Sequence, residues 1–167
     1  MNTRLNFLAR REHGRRIRPA VKLRAAAKLS IPPEAVEFVD LELTDRANKS
    51  LSDRWDTFRV RSQYDESHIR VETTRRTDIV ETLAAIRKAN DDIPMLLIHE
   101  DASYTGAIQT SLHQAIDRAF AICEFDAEDL IVTSESGDIA LTLEYFPDPR
   151  APEHVELMRL NWWREDH

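Results

Sequence analysis

The sequence predicts an α+β fold: a mainly antiparallel sheet with about three helices packed on it, in a single domain spanning residues 1–167. Three observations lead there. Apolar residues recur at helical spacing in IVETLAAIRKA (79–89) and again from Ile108 to Cys123. Two alternating runs, LIVTS (130–134) and DIALTLEYF (138–146), flank Glu135-Ser136-Gly137, a short connection with the glycine a hairpin wants. The order of elements is helix, several strands, helix, strand, helix, three strands, and the last third is antiparallel in character.

Taken in order, residues 1–30 are a basic N-terminal arm or helix. Residues 1–18 are arginine-rich with poor periodicity and read as an arm or a short helix. Pro19 suits the first turn of a helix over PAVKLRAAAKL, which Ile31-Pro32-Pro33 ends, because a residue before proline is pushed out of α geometry. Alternation of Val39, Leu41 and Leu43 against Asp40 and Glu42 predicts a half-buried strand over Ala35–Leu43. TDRANKSLSDR then reads as a loop or short helix, WDTFRVRSQ and SHIRVETT as two strands, and YDES as the turn between them.

Thr77 and Asp78 are candidate caps for the helix whose Ile79, Leu83 and Ile86 share a face, and Asn90-Asp91-Asp92 stops it. PMLLIH, apolar on both faces, reads as an interior strand. Asp101, Ser103 or Thr105 caps a helix carrying Ile108, Leu112, Ala115, Ala119 and Cys123 as its stripe, widened by Ile116, Phe120 and Ile122. HVELMRLNWW is the last strand.

Composition narrows the function classes. With 42% apolar and 32% charged residues the chain is globular, and at 167 residues it builds a core without staples. One cysteine, Cys123, allows no internal disulfide and fits a reducing cytoplasm. No apolar run reaches membrane-spanning length, and no secretory h-region follows the basic start. Three glycines leave no G-x-x-x-x-G-K-[ST] or G-x-G-x-x-G loop, and no G-x-S-x-G elbow occurs. His99, Asp101 and His113 match no metal-ligand spacing, so neither a cofactor nor a metal is expected, and no catalytic residue stands out.

Charge is divided unevenly. Residues 1–28 sum to +8 and the remainder to −15, with −13 over residues 89–167 alone. Glu124, Asp126, Glu128 and Asp129 gather at one link, and Glu135 and Asp138 surround the next turn. Such a field repels nucleic acid and attracts a basic protein. The arginines at 10, 11, 15, 16 and 18 pull the other way, either toward phosphates or back onto the acidic body. Trp162 and Trp163 are adjacent in a strand and must point to opposite faces. One is expected to join the core; the other is either a contact residue for a partner or covered by a neighbouring element.

A small, acidic, cysteine-poor α+β chain without an active-site motif resembles bacterial immunity proteins, the cytoplasmic inhibitors of toxins such as colicins and those of contact-dependent growth inhibition. The resemblance is one of general character over most of the chain and rests on no motif. It implies a non-enzymatic protein that neutralises a cationic toxin domain, often a nuclease, by stoichiometric binding. Glu124, Asp126, Glu128, Asp129, Glu135 and Asp138 are then the charge complements, with Trp162 or Trp163 as an apolar anchor. The alternatives are a nucleic-acid-associated protein using the arginine arm, and an enzyme with a motif-free site near His99.

Overall fold

The computed structural model describes residues 3–60, 68–123, 129–147 and 156–165. In chain order these form α1 (Thr3–Leu29), a 3-10 turn (Pro33–Ala35), α2 (Leu41–Val60), β1 (His68–Thr73), α3 (Arg76–Ala89), β2 (Pro94–Leu97) and α4 (Ala102–Thr105). There follow β3 (Ile108–Ser111), α5 (Leu112–Asp117), α6 (Ala119–Cys123), β4 (Leu130–Thr133), β5 (Ile139–Pro147) and β6 (Glu156–Arg164). The strands make one sheet in the order β1-β6-β5-β4-β2-β3, every neighbouring pair antiparallel. The α+β class and its antiparallel sheet are as the sequence predicts, but the described residues hold six α-helices where about three were expected.

Helices cover both faces. On one, Leu130, Val132, Leu141, Leu143, Met158, Leu160 and Trp162 meet Ala25, Ala26 and Leu29 of α1, Ile79, Leu83 and Ile86 of α3, and the inward residues of α5 and α6. On the other, α2 lays Ala47 and Leu43 over Leu96, Ile98 and Ile131, and Leu51 and Trp55 over Ala140 and Trp163. The register explains this split: Trp162 stands opposite Ile69 and Leu141, Trp163 opposite His68 and Ala140, and adjacent strand residues face opposite ways.

Four local expectations are corrected. Residues 35–43 do not form a strand: only Phe38 makes a bridge, to Ile108, and α2 begins at Leu41. Asp40 is the reason, since its carboxylate accepts the Leu43 N–H at 2.7 Å and its carbonyl accepts the Thr44 N–H at 3.1 Å, an N-cap that starts a helix. The helix then runs through TDRANKSLSDR and through residues 55–60, which alternation had assigned to a strand. Residues 61–67 lie outside the described set.

The stripe from Ile108 to Cys123 is buried as expected, yet it is not one helix. Gly106, at φ 90°, turns the chain out of α4 so that Ile108–Ser111 can pair with β2. Ser111 then caps α5 by accepting the Gln114 N–H at 3.2 Å. Pro19, finally, sits inside α1 rather than in a first turn. An interior proline costs a helix about 3 kcal/mol, and α1 offsets that by docking on either side of it.

Candidate functional site

The docking of α1 creates the site. Gly14 lets the helix backbone lie directly on α4: a Cβ there would stand 1.8 Å from the Tyr104 carbonyl oxygen. Arg10 reaches Asp45 with two hydrogen bonds of 2.8 and 3.0 Å and donates to the Ser103 carbonyl at 2.8 Å. Arg18 donates to the Thr105 carbonyl at 2.5 Å, and Arg24 pairs with Asp101 at 3.0 Å. Through these contacts the basic arm folds back on the body, by carbonyls as much as by acids.

Arg11, Arg15, Arg18 and Lys22 follow one another at intervals of four, three and four residues, so they form one stripe along α1. At 1.5 Å per residue that stripe is about 16 Å long. It forms one wall of a cleft of about 850 Å³. Phe38, Val39, Asp40, Leu41 and Glu42 supply a second part of its lining, and Phe7 and Tyr104 also line the space. Arg18 lies over the Phe38 ring at 5.0 Å, and among the described residues Arg15 is held only by Glu12, one helical turn away and exposed. Among the described residues Arg11 and Lys22 have no ion-pair or hydrogen-bond partner, and neither does the Glu42 carboxylate on α2.

Beneath the Phe38 wall lies His99, which is buried and in edge contact with Phe38. Burial pushes its pKa down, and Nε2 donates to the Gly106 carbonyl at 3.1 Å, a bond that acts in the opposite direction. His113 points elsewhere, its Nε2 2.9 Å from the Asn90 carbonyl, and Asp117 binds Arg87 rather than His113. His113 is thus engaged apart from His99, whereas Asp101 is close enough to act on the His99 charge, and the Thr105 hydroxyl contacts both residues. Among the described residues no group of three or more His, Cys, Asp or Glu is placed to hold a metal ion. Nor is any helix among them long and apolar enough to cross a membrane. Cys123 is buried, donates to the Leu143 carbonyl at 3.9 Å, and has its thiol pushed up to about 12 by burial.

No family model matches the chain, and no curated protein or solved structure matches it.

The residues chosen from sequence fare unevenly. Glu124, Asp126 and Glu128 lie outside the described residues. Asp129 precedes β4 and accepts the Tyr145 N–H at 3.4 Å; Glu135 and Asp138 sit in the turn at the other end of that strand. Glu135 is exposed, but Asp138 is occupied in shaping the turn, accepting from the Ser134 hydroxyl at 2.5 Å and from Ser136. The acids adjacent in sequence to β4 are therefore split between its two ends.

Neither tryptophan offers an exposed anchor. Trp162 is 3% exposed in the first core; Trp163 is 2% exposed, tilted against Trp55 at 5.7 Å, with its indole N–H donating to the Gly137 carbonyl at 3.3 Å. Both faces of β6 are covered, because α2 is a helix and not the strand expected there. Phe7, Phe38, Tyr104, Lys22 and Glu42 were not singled out from sequence. The stripe of cations was legible in α1 once helicity is assumed, whereas its aromatic wall comes from residues 38 and 104 and had no local signal.

Proposed function

We propose that this protein is a binding protein that takes phosphate-bearing polyanions, nucleic acid foremost, in the cleft on α1. The observation that supports the reading is the pair of unneutralised cations, Arg11 and Lys22, in line with Arg15 and Arg18 inside an aromatic-walled cleft. Unpaired cations in a concave, partly apolar space focus the field on an anionic ligand. Fluorescence anisotropy with a labelled oligonucleotide tests it. Arg11→Glu/Lys22→Glu, with folding checked by circular dichroism, should weaken binding by tenfold or more; unchanged binding would refute the cleft. For two to four phosphate contacts on a single strand the log–log salt slope should be about −1.4 to −2.8. Deleting residues 1–18 is a poor test, because it strips α4 of the helix that covers it.

A second reading keeps one specific support: residues 29–167 carry −15, and the docked helix offsets only part of it. On that reading the chain is a cytoplasmic immunity protein that captures a cationic toxin domain through acids such as Asp126, Glu128 and Glu135. A pull-down from native lysate at low and high salt separates the two readings. A stoichiometric basic protein supports the inhibitor; nucleic acid recovered only at low salt supports the cleft.

A further inference from the structure

The cleft carries both cations and carboxylates in its lining. Arg11 and Lys22 on α1 and Glu42 on α2 are all unpaired among the described residues. Asp40, which also lines the cleft, gives one carboxylate oxygen to the Leu43 N–H as the cap of α2 and keeps the other free among the described residues. A cleft made for a bare polyanion gains nothing from two carboxylates, which repel phosphate. A ligand that brings both phosphates and hydrogen-bond donors satisfies both.

The rings of Phe38, beneath Arg18, and of Tyr104, 39% exposed and in edge contact with His13, are part of the same lining. Flat aromatic side chains beside a line of cations are how single strands are held, with bases on rings and phosphates on the basic track. A stripe of about 16 Å suits a few successive phosphates of an extended strand. The volume, about 850 Å³, lies within the range of small-ligand sites.

We infer that the cleft binds a single-stranded nucleic acid, phosphates along Arg11, Arg15 and Lys22, with an amino-bearing base against Phe38 and Tyr104 whose exocyclic amino group donates to Asp40 or Glu42. This deepens the polyanion reading above and rests on it. Adenine and cytosine each offer such an amino donor, as carboxylates recognise at base edges, and thymine offers none.

The experiment is anisotropy with fluorescein-labelled dA10, dC10 and dT10, with inorganic polyphosphate, AMP and a hairpin duplex as competitors. The expected result is binding of dA10 and dC10 about tenfold tighter than dT10, the scale of one good base-edge contact. Polyphosphate should compete only weakly, and AMP at equal nucleotide concentration and the duplex hardly at all. Glu42→Gln with Asp40→Asn, the latter still able to cap α2, should reduce the preference while tightening polyphosphate, because the repulsion is gone. Phe38→Leu should weaken all oligonucleotides and leave polyphosphate unchanged.

Equal binding of the three homopolymers with strong polyphosphate competition would overturn the nucleotide inference and leave the polyanion reading standing. Effective competition by AMP or by the duplex would overturn the single strand as ligand. Absence of binding to every polyanion would remove both readings together.

Discussion

Ser30 holds a backbone conformation that glycine normally supplies. It follows α1 at φ 58°, and the Ile31 N–H returns to the Ala26 carbonyl at 3.0 Å, closing the helix with a left-handed residue. A side chain there is strained, so Ser30→Gly is expected to stabilise the fold by about 0.5–1 kcal/mol, measured as a raised urea midpoint at unchanged slope. Gly14 is the opposite case. Gly14→Ala meets the Tyr104 carbonyl and must lift α1 from α4, and thermal unfolding should show a loss larger than the roughly 0.5 kcal/mol or more that alanine gains over glycine in a free helix. Cys123, buried with its thiol pushed up to about 12, should resist alkylation at pH 8 in the native protein and react on unfolding. Rapid native-state labelling would show that α6 opens readily.

At the scale of elements, β5 and β6 are the two longest strands of the sheet and lie between β1 and β4. Their nine-residue pairing puts Leu141, Leu143 and Leu160, all fully buried, between β1 and β4 and beneath the helices. Leu143→Ala should cost about 2–5 kcal/mol, the range for a core leucine whose cavity cannot collapse; a loss under 1 kcal/mol by chemical denaturation would mean that the helices on that face repack freely. The turn between β4 and β5 depends on Asp138 drawing in the Ser134 and Ser136 hydroxyls, with Trp163 bonded to the Gly137 carbonyl beside it. Alternation is an ambiguous signal where a helix begins with small polar residues. Thr44 and Ala47 are fully buried on α2, but neither is hydrophobic enough to mark a helical period, so Val39, Leu41 and Leu43 dominated the pattern. Thr44 is buried because its hydroxyl donates to the Asp40 carbonyl and accepts the Ala107 N–H at 2.8 Å, a contact between distant parts of the chain.

For the whole molecule, pH reports the ion pairs and the buried histidine together. His99 has its pKa lowered by burial, so below about pH 6.5 the unfolded chain takes up a proton that the fold refuses. Its stabilising effect is therefore complete above pH 6.5 and declines as pH falls toward the folded value. Glu72, held down first by Arg70 and then by Arg159 across β1 and β6, contributes above the usual carboxylate range and loses that contribution at lower pH. Stability should thus fall in two stages on acidification. His99→Gln, which keeps a donor for the Gly106 carbonyl, should remove the upper stage and leave the lower. An unchanged profile between pH 5 and 7 would show that His99 titrates alike in both states.

Sequence by itself determined the α+β class, the antiparallel hairpin from Leu130 to Phe146, the last strand, the helix over Ile79–Ala89, and the division of charge between the two ends of the chain. Each rests on a local period or on composition, which neighbours in sequence carry without help from the rest of the fold. Tertiary structure alone decided that the arginine arm is a continuous helix with a proline inside it, that residues 41–60 are helical, and that both Trp162 and Trp163 are covered. It also decided the site, since one part of its lining is a stripe on α1 and another is brought from residues 38–42 and Tyr104. Those outcomes depend on long-range contacts: Gly14 on the Tyr104 carbonyl, Arg10 on Asp45, Thr44 on Ala107, Trp55 on Trp163. A local pattern cannot register such contacts, because the free energy that selects the helix is gained only when the distant partner is in place.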